Sequence, residues 1–325
     1  MRPTGESSAP LSDARLPEGA LVVSGLRKLY GGRVVVDGLS FHVEPGEIYG
    51  LLGPNGAGKT TTIGMLATVL VPDEGSAAIQ GLDAGSPHRL SRHIGLVPQQ
   101  TSLYPPLTAE ANLRLFGRIH GLAAGTLAAR VEQMLVLAGL EDRRRDPVRV
   151  FSGGMQRRLN LVCGLVHRPR VLLLDEPTTG VDPQSRERIF EMIERQSADG
   201  LSIVYTTHYM EEAERLCHRI GILDGGRLVA EGTQGELAMR LGDERVVTVR
   251  LSSSPTQSLR RSLESLGAVT SSDGAYVLEG AGLERRVRGL LESVESESNA
   301  VRSMNWSAPD LESLFLRLTG KDLRD

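Results

Sequence analysis

The chain has 325 residues, a length for roughly two domains of about 150 residues each with a sizeable buried core, which excludes fibrous and disulfide-stapled classes. Its 37 basic and 40 acidic side chains leave a formal charge of −3, too weak a field to gather nucleic acid or an anionic membrane non-specifically. The two cysteines, Cys163 and Cys217, fit no metal-ligand spacing or disulfide framework and suit a reducing compartment, and no apolar run approaches the ~18 residues of a membrane span.

Residues 1–19 are polar and lack an apolar core, so they are expected to form a disordered leader and not a secretory signal. Leu21-Val22-Val23 and Val34-Val35-Val36 read as strands joined by a Gly31-Gly32 turn. Ile48 to Leu52 reads as a buried strand, followed by a glycine-rich loop and a helix-compatible stretch from Thr60 to Leu70, ended by Pro72. From Thr101 to about Leu140 the spacing of Leu113, Phe116, Ile119, Val131, Leu135 and Leu137 predicts amphipathic helices, a helical subdomain over about 101–151. Strand signals return at Val171–Leu174, Ile203–Tyr205 and Ile220–Leu223, with helices over Arg186–Gln196 and Met210–His218 between them, so the core is α/β with parallel strands. Composition changes near Gly242. Beyond it the order is a strand (246–251), a helix (257–266), a hairpin turning at Asp273-Gly274 (268–279), a helix (283–294), a strand (301–305) and a last helix (310–318). That βαββαβ order fits a ferredoxin-like α+β module. The expected domains are therefore the leader, 20–241 and 242–325.

Gly53-Pro54-Asn55-Gly56-Ala57-Gly58-Lys59-Thr60 matches the P-loop pattern and stands after a buried strand and before a helix, as the mechanism requires. Its glycines let successive backbone N–H groups and a helix N-terminus face a polyphosphate, Lys59 neutralises β and γ oxygens, and Thr60 is placed to hold Mg²⁺. Lys28, Lys59 and Lys321 are the only lysines, which makes the choice at 59 conspicuous. The apolar run Val171–Leu174 ends in Asp175 and Glu176, the pairing expected of a metal-binding carboxylate followed by one that polarises an attacking water.

Phe151-Ser152-Gly153-Gly154-Met155-Gln156-Arg157-Arg158 resembles the signature sequence of ABC-type ATPases. The other motifs follow in the matching order: Tyr30 is similar to the aromatic that stacks on adenine, Gln99 to the Q-loop glutamine, Gly180-Val181-Asp182 to the D-loop and His208 to the switch histidine. The likeness covers about Leu21 to Met239; Phe151 departs from the more usual leucine and the D-loop wording departs modestly. The resemblance implies a P-loop NTPase core of ABC type with an antiparallel β subdomain and a helical subdomain, hydrolysing ATP with Mg²⁺. On that pattern ATP is held by Tyr30, Gly53, Pro54, Asn55, Gly56, Ala57, Gly58, Lys59, Thr60, Thr61, Gln99, Ser152, Gly153, Gly154 and Asp182. Thr60, Gln99 and Asp175 serve the metal, and Glu176, His208 and Lys59 are catalytic. Ser152 with its two glycines before the helical run Met155–Val166 supplies a hydroxyl and a helix N-terminus suited to phosphate oxygens.

In ABC proteins the signature of one subunit covers ATP held by the P-loop of another, which implies a head-to-tail homodimer or heterodimer. Pro105 to Leu113 resembles the region that receives a coupling helix from the membrane subunit. Ile94–Gln99, the Met155 signature and the ending Asp310–Gly320 are similar to drug-efflux ATPases of the daunorubicin-resistance type, which pair with a separate ABC-2 permease. This implies a peripheral protein at the cytoplasmic face of the cell membrane, powering export of a drug-like or other hydrophobic compound. The competing expectation is a soluble ABC-type ATPase without a permease, but such proteins commonly fuse two cores or insert long arms, and this chain does neither. A switch that binds ATP and scarcely hydrolyses it is disfavoured by intact Glu176 and His208. Arg143-Arg144-Arg145 and Arg89 with Arg92 read as solvated faces, giving no case for a nucleic-acid partner, and Cys217-His218 is too few ligands for a metal site.

Overall fold

The computed structural model describes residues 20–79, 82–83, 91–239, 246–270, 275–278, 282–296, 300–307, 311 and 315. The leader, Arg89, the composition change near Gly242, the Asp273-Gly274 turn and most of the last helix lie outside the described residues. The chain divides into two compact units, one formed by residues up to Glu47 with Thr61–Val204, the other by Ile48–Thr60 with Tyr205 onward.

In the first unit, β1 (Leu21–Tyr30) and β2 (Arg33–Val43) form the expected antiparallel hairpin, with Leu21 opposite Val43 and Tyr30 opposite Arg33. Its turn residues Gly31 and Gly32 both have positive φ, 55° and 84°. β4 (Glu74–Ile79) pairs antiparallel with the other side of β1, and β5 (Leu82–Asp83) completes the order β2-β1-β4-β5. A second sheet carries parallel β6 (Ile94–Val97) and β7 (Val171–Asp175), followed by the start of β8 (Ser202–Thr207). β7 is buried at every position, which is why it reads as an unbroken apolar run up to its terminal aspartate.

The region expected to be helical holds α2 (Ala109–Ile119) and α3 (Ala124–Ala138), followed by α4 (Gly153–Leu165); α5 (Pro183–Ala198) comes later in the same unit. Thr108 Oγ1 accepts the Ala111 N–H at 3.1 Å and starts α2, while Gly139, left-handed at φ 60°, ends α3. Leu113, Val131 and Leu135 are buried as expected, whereas Ile119 is 63% exposed. Six residues beyond Leu113, it stands about 240° further round the helix and leaves the apolar stripe. Two arginines tie helix ends together: Arg158 of α4 donates to Ala138 and Gly139 carbonyls at the end of α3, and Arg130 of α3 donates to Leu165 and Val166 carbonyls (2.8 and 3.1 Å) at the end of α4. Burial, then Arg168, pushes the Arg130 guanidinium down to about 10. Arg144, expected on a solvated face, bridges Glu110 and Glu132 at 3.1 and 2.9 Å.

His120, following α2, and His167, following α4, stack with ring centroids 3.7 Å apart and planes within 4°. His167 Nε2–H donates to the Ile94 carbonyl at 2.9 Å, so the neutral tautomer fits. Burial, with smaller contributions from His120 and Arg130, lowers His167 to about 4, and burial lowers His120 as well. Both fall below the ordinary 6.5, so between pH 4 and 6.5 the unfolded chain binds more protons. The stabilisation is fully present above pH 6.5 and drains away as pH falls towards 4. Chemical denaturation midpoints should therefore drop on acidification through this window, and less steeply in His167→Phe.

In the second unit, β3 (Ile48–Leu52) runs parallel to β9 (Arg219–Asp224), with Tyr49 opposite Arg219, and β10 (Arg227–Gly232) pairs antiparallel with β9. The order is β10-β9-β3 and then the end of β8. α1 (Lys59–Leu66), of which Thr61 onward belongs to the first unit, stops earlier than the Thr60–Leu70 stretch suggested. Thr68 has φ 59°, and the Val69 and Leu70 N–H groups both turn back to the Gly64 carbonyl at 2.9 Å, unwinding the chain before Pro72. α6 (Met210–Leu216) and α7 (Gln234–Met239) flank the β9/β10 pair in sequence.

Beyond residue 245 come β11 (Val246–Leu251), α8 (Gln257–Ser265), β12 (Val269–Thr270), β13 (Tyr276–Leu278), α9 (Leu283–Ser296) and β14 (Val301–Ser307). The sheet order β12-β13-β11-β14, antiparallel throughout, is that of the ferredoxin-like arrangement read from the sequence. Val247 and Val249 of β11, Leu259 and Leu263 of α8, and Val287 and Leu290 of α9 form a core of their own. Of the last helix only Leu311 and Phe315 are described; both are helical and buried.

Candidate functional site

In the second unit the 53–58 loop joins the end of β3 to α1. Its curl needs glycine at two kinds of position. Gly58 has φ 104°, which L side chains rarely adopt, and a Cβ on Gly53 would stand 2.4 Å from the Leu223 carbonyl oxygen. The loop is tied to its neighbours by Gly53 N–H donating to Thr207 O (3.3 Å) and Gly226 N–H donating to Ala57 O (3.1 Å). Lys59, only 4% exposed, donates from Nζ to the Gly53 and Pro54 carbonyls at 2.8 and 3.0 Å. Thr60 and Thr61 stand in the first turn of α1, where backbone amides lack intrahelical acceptors and the helix dipole is positive. This is an arrangement that can take an anion such as a polyphosphate.

Thr207, whose carbonyl meets Gly53, ends β8 immediately before His208, and the His208 ring lies 4.1 Å from that of Tyr209. A buried carboxylate holds this strand end: Glu212 Oε2 accepts Tyr205 O–H (2.9 Å) and Thr207 O–H (2.8 Å), and Thr207 Oγ1 accepts the Tyr209 N–H (2.9 Å). The sequence reading had not singled out Glu212; its signal was position, four residues after His208 on the first turn of a helix.

In the first unit β7 ends in Asp175, and Glu176 follows it directly; they are 3% and 6% exposed. Glu176 has φ 44°, unusual for a non-glycine residue and of the kind found where side-chain direction is functionally constrained. Its Oε2 accepts Gln99 Nε2–H at 3.2 Å and Thr179 O–H at 3.3 Å. Arg157 of α4 donates Nη1–H to the Gln99 carbonyl and Nη2–H to the Thr179 carbonyl (3.3 Å). Arg157 and Thr179 were missed by sequence, although Arg157 lies within the 151–158 run.

Ser152 caps α4, its Oγ accepting the Met155 N–H at 3.3 Å, and its hydroxyl proton can still be donated. Gly153 has open space where a side chain would stand, while a Cβ on Gly154 would fall 2.5 Å from Ser185 Cβ and 3.4 Å from Asp182 Oδ2. Asp182 caps α5, accepting the Ser185 N–H at 2.9 Å, and hydrogen bonds from Ser185 hold its carboxyl below the usual range. Signature and D-loop are thus packed against each other. Tyr30, 48% exposed at the end of β1, has the Lys28 ammonium 5.7 Å from its ring centroid.

Among the described residues no group of three His, Cys, Asp or Glu side chains is arranged to hold a metal by itself. Asp175 at the end of β7, 3% exposed, is by itself a hard oxygen donor of the type that suits Mg²⁺, an ion that keeps several waters and takes one or two protein ligands beside substrate phosphates.

A P-loop between β3 and α1, a buried strand ending in two carboxylates and a serine-capped signature helix define a P-loop ATPase of the ATP-binding-cassette class. The ABC transporter family model matches residues 36–179. The linearmycin resistance ATP-binding protein LnrL of Bacillus subtilis (strain 168) is 40% identical over 310 residues, 94% of this chain and 100% of that protein. This chain belongs to the ABC transporter family as an ATP-binding, ATP-hydrolysing subunit. Nod factor export ATP-binding protein I of Ralstonia nicotianae (strain ATCC BAA-1114 / GMI1000) is 42% identical, covering 94% of this chain and 95% of that protein. Daunorubicin resistance ATP-binding protein DrrA3 of Streptomyces coeruleorubidus is 39% identical, covering 94% and 97%. Among solved structures, a dimeric ATP-binding cassette in a post-hydrolysis state with ADP and Pi is similar with a TM-score of 0.61 and 25% identity, over 66% of this chain and 98% of that one. No helix among the described residues is long and apolar enough to cross a membrane.

Proposed function

We propose that this subunit drives export of a drug-like or other hydrophobic compound through a separate ABC-2 type permease, working at the cytoplasmic face of the cell membrane. The observation that carries the reading is the extent of the match to resistance and export ATP-binding proteins, which runs over 310 residues and so includes the module after Gly242 as well as the ATPase core. In this reading the P-loop amides and Lys59 hold the β- and γ-phosphates, Tyr30 stacks on adenine, and Thr60, Gln99 and Asp175 hold Mg²⁺. Mg²⁺ held there would supply positive charge against the phosphate oxygens. Glu176 orients and polarises the attacking water, and His208 meets the γ-phosphate. Ser152, Gly153, Gly154 and Asp182 of one copy close over nucleotide held by a second, in a homodimer or a heterodimer. Residues 20–241 are the ATPase domain and 242–325 an accessory module that regulates or stabilises the dimer.

A docking place for the permease is available beside Gln99. A cavity of about 250 Å³ is lined by Leu96, Pro98, Phe116, His120, Asn160 and His167 among others. The adjoining 104–108 turn is held by fully buried Asn112, which accepts the Tyr104 N–H at 2.8 Å and donates to Tyr104 and Thr108 carbonyls at 3.2 and 3.0 Å, leaving Tyr104 half exposed. Detergent extraction of the tagged full chain from its native membranes should bring down a six-span membrane protein, and deleting that protein should sensitise cells as much as deleting this one. Recovery of the chain with no membrane partner, and unchanged compound sensitivity on its deletion, would overturn the reading.

A further inference from the structure

We propose that Arg157 is a positioning residue for ATP hydrolysis, setting the direction of the Glu176 carboxylate without touching it. The proposal rests on the reading of Glu176 as the group that polarises water.

Four residues form a closed ring. Glu176 Oε2 accepts two bonds, from Gln99 Nε2–H (3.2 Å) and from Thr179 O–H (3.3 Å). The backbones of those same two residues are joined by one guanidinium, which donates Nη1–H to the Gln99 carbonyl and Nη2–H to the Thr179 carbonyl. A planar fork with fixed donor directions sets the spacing of two acceptors in a way that a flexible ammonium does not. The spacing matters because Gln99 is an exposed loop residue 77 positions from Glu176, with no secondary structure of its own to fix it. Glu176, at φ 44°, already has its side-chain direction dictated by an uncommon backbone conformation. Arg157 is about half buried, and desolvation lowers its affinity for its proton, yet the group meets two carbonyls and no carboxylate in these contacts. A charge held at this cost against neutral acceptors points to a geometric task more than to an ion pair. Arg157 is also the fifth residue of α4, three positions after the second signature glycine, Gly154. A movement of that helix on subunit closure would therefore reach the Gln99 loop and the Thr179 backbone together, and through both their side chains the catalytic carboxylate.

The test is steady-state ATPase kinetics on the purified full chain with Mg-ATP, alongside equilibrium ATP binding and thermal unfolding. Arg157→Met should lower kcat by roughly tenfold to a hundredfold, the scale of a misplaced catalytic group. KM and ATP affinity should stay within about twofold, because the P-loop is unaltered, and Arg157→Lys should recover part of the loss. The ring makes a sharper demand. In a Gln99→Ala/Thr179→Val background, where the side chains that carry the effect are gone, adding Arg157→Met should cost less than about twofold more. Glu176→Gln is the control for the underlying reading. If that variant keeps its turnover, the role of Glu176 fails. If it loses turnover while Arg157→Met matches the parent, or if Arg157→Met is fully additive with the double variant, the positioning role alone is overturned. A variant that unfolds more readily with kcat and ATP affinity lost in parallel would likewise mark Arg157 as structural, and Thr179→Val, which keeps the backbone carbonyl, then tests the ring from its other side: an unchanged kcat there also refutes it.

Discussion

Glu176→Gln is expected to abolish multiple turnover while leaving ATP bound. The substitution is nearly isosteric, and an amide oxygen can still accept the Gln99 N–H and Thr179 O–H that the carboxylate accepts at 3.2 and 3.3 Å. The positive φ of residue 176 and the buried end of β7 are unchanged, so the fold should be barely affected, within about 0.5–1 kcal/mol by denaturation. What is lost is basicity. An amide cannot take or polarise a proton from water, and general-base contributions run at about 10²–10⁴-fold. The P-loop, with its backbone amides and Lys59, is untouched, so ATP affinity should be retained. With hydrolysis blocked, the ATP-bound closed pair should accumulate, appearing on size exclusion as a dimer in Mg-ATP that the parent chain shows only transiently. Retention of a third or more of the parental kcat would remove Glu176 from the mechanism, and a strictly monomeric variant in ATP would count against closure between two copies.

The elements that sequence made legible share a property: their local pattern and their final environment agree. β3, β7 and β9 are apolar runs because they are buried in a sheet interior, and the P-loop glycines are required by φ values and close approaches that no other residue meets. The C-terminal module was readable as βαββαβ because its α8 and α9 carry evenly spaced apolar residues, Leu259 with Leu263 and Val287 with Leu290 and Val294, that form its core. β4 was not legible, since it opens on Glu74-Gly75-Ser76 and earns strand geometry only by pairing with β1. β6 was quoted for its wording but not as a strand. It is four residues long and contains Gly95, where a Cβ would stand 2.3 Å from the Gly164 carbonyl, a packing constraint between distant segments that composition does not reveal. The early end of α1 had no local marker except Pro72, because the unwinding is done by two amides sharing the Gly64 carbonyl.

The same distinction runs through the candidate site. Gly53, Lys59, Asp175 and Glu176 were found by pattern, because motif spacing fixes their places on strand ends and helix starts. Arg157 and Thr179 escaped because their partners are backbone carbonyls or side chains brought near by the fold; Gln99 O is 58 residues from Arg157, and any residue type offers a carbonyl. Ser152 shows a third case. Its hydroxyl was expected to meet phosphate, and it is already engaged as the acceptor that caps α4, a role sequence predicts equally well from a serine three residues before a backbone N–H. The two uses are compatible, since capping occupies an oxygen lone pair and phosphate needs the O–H proton.

Lys59→Ala is expected to remove ATP binding itself. Lys59 is 4% exposed and its ammonium donates to two carbonyls of its own loop, Gly53 O at 2.8 Å and Pro54 O at 3.0 Å, so it is held at the loop by short-range bonds as well as by its stem. Removing it takes away the one positive side chain of the 53–60 segment and leaves two loop carbonyls without the cation they meet. Both changes oppose an anion. A charge-assisted contact of this kind is worth about 1.5–3 kcal/mol, and the backbone amides and helix N-terminus that remain supply the weaker part of the attraction. ATP affinity should therefore fall by roughly 10–100-fold or more, with turnover lost below detection at ordinary nucleotide concentrations. The direct measurement is ligand-linked stability: Mg-ATP at 100 times the parent's Kd should raise the parent's stability by about 2.7 kcal/mol, and the same concentration should stabilise Lys59→Ala by only about 0.4–1.4 kcal/mol. Because Glu176→Gln should keep the full ATP-induced shift, the pair separates binding from chemistry in one instrument. Equal shifts in both variants, or equal residual ATPase, would refute the division of roles between the P-loop and the end of β7.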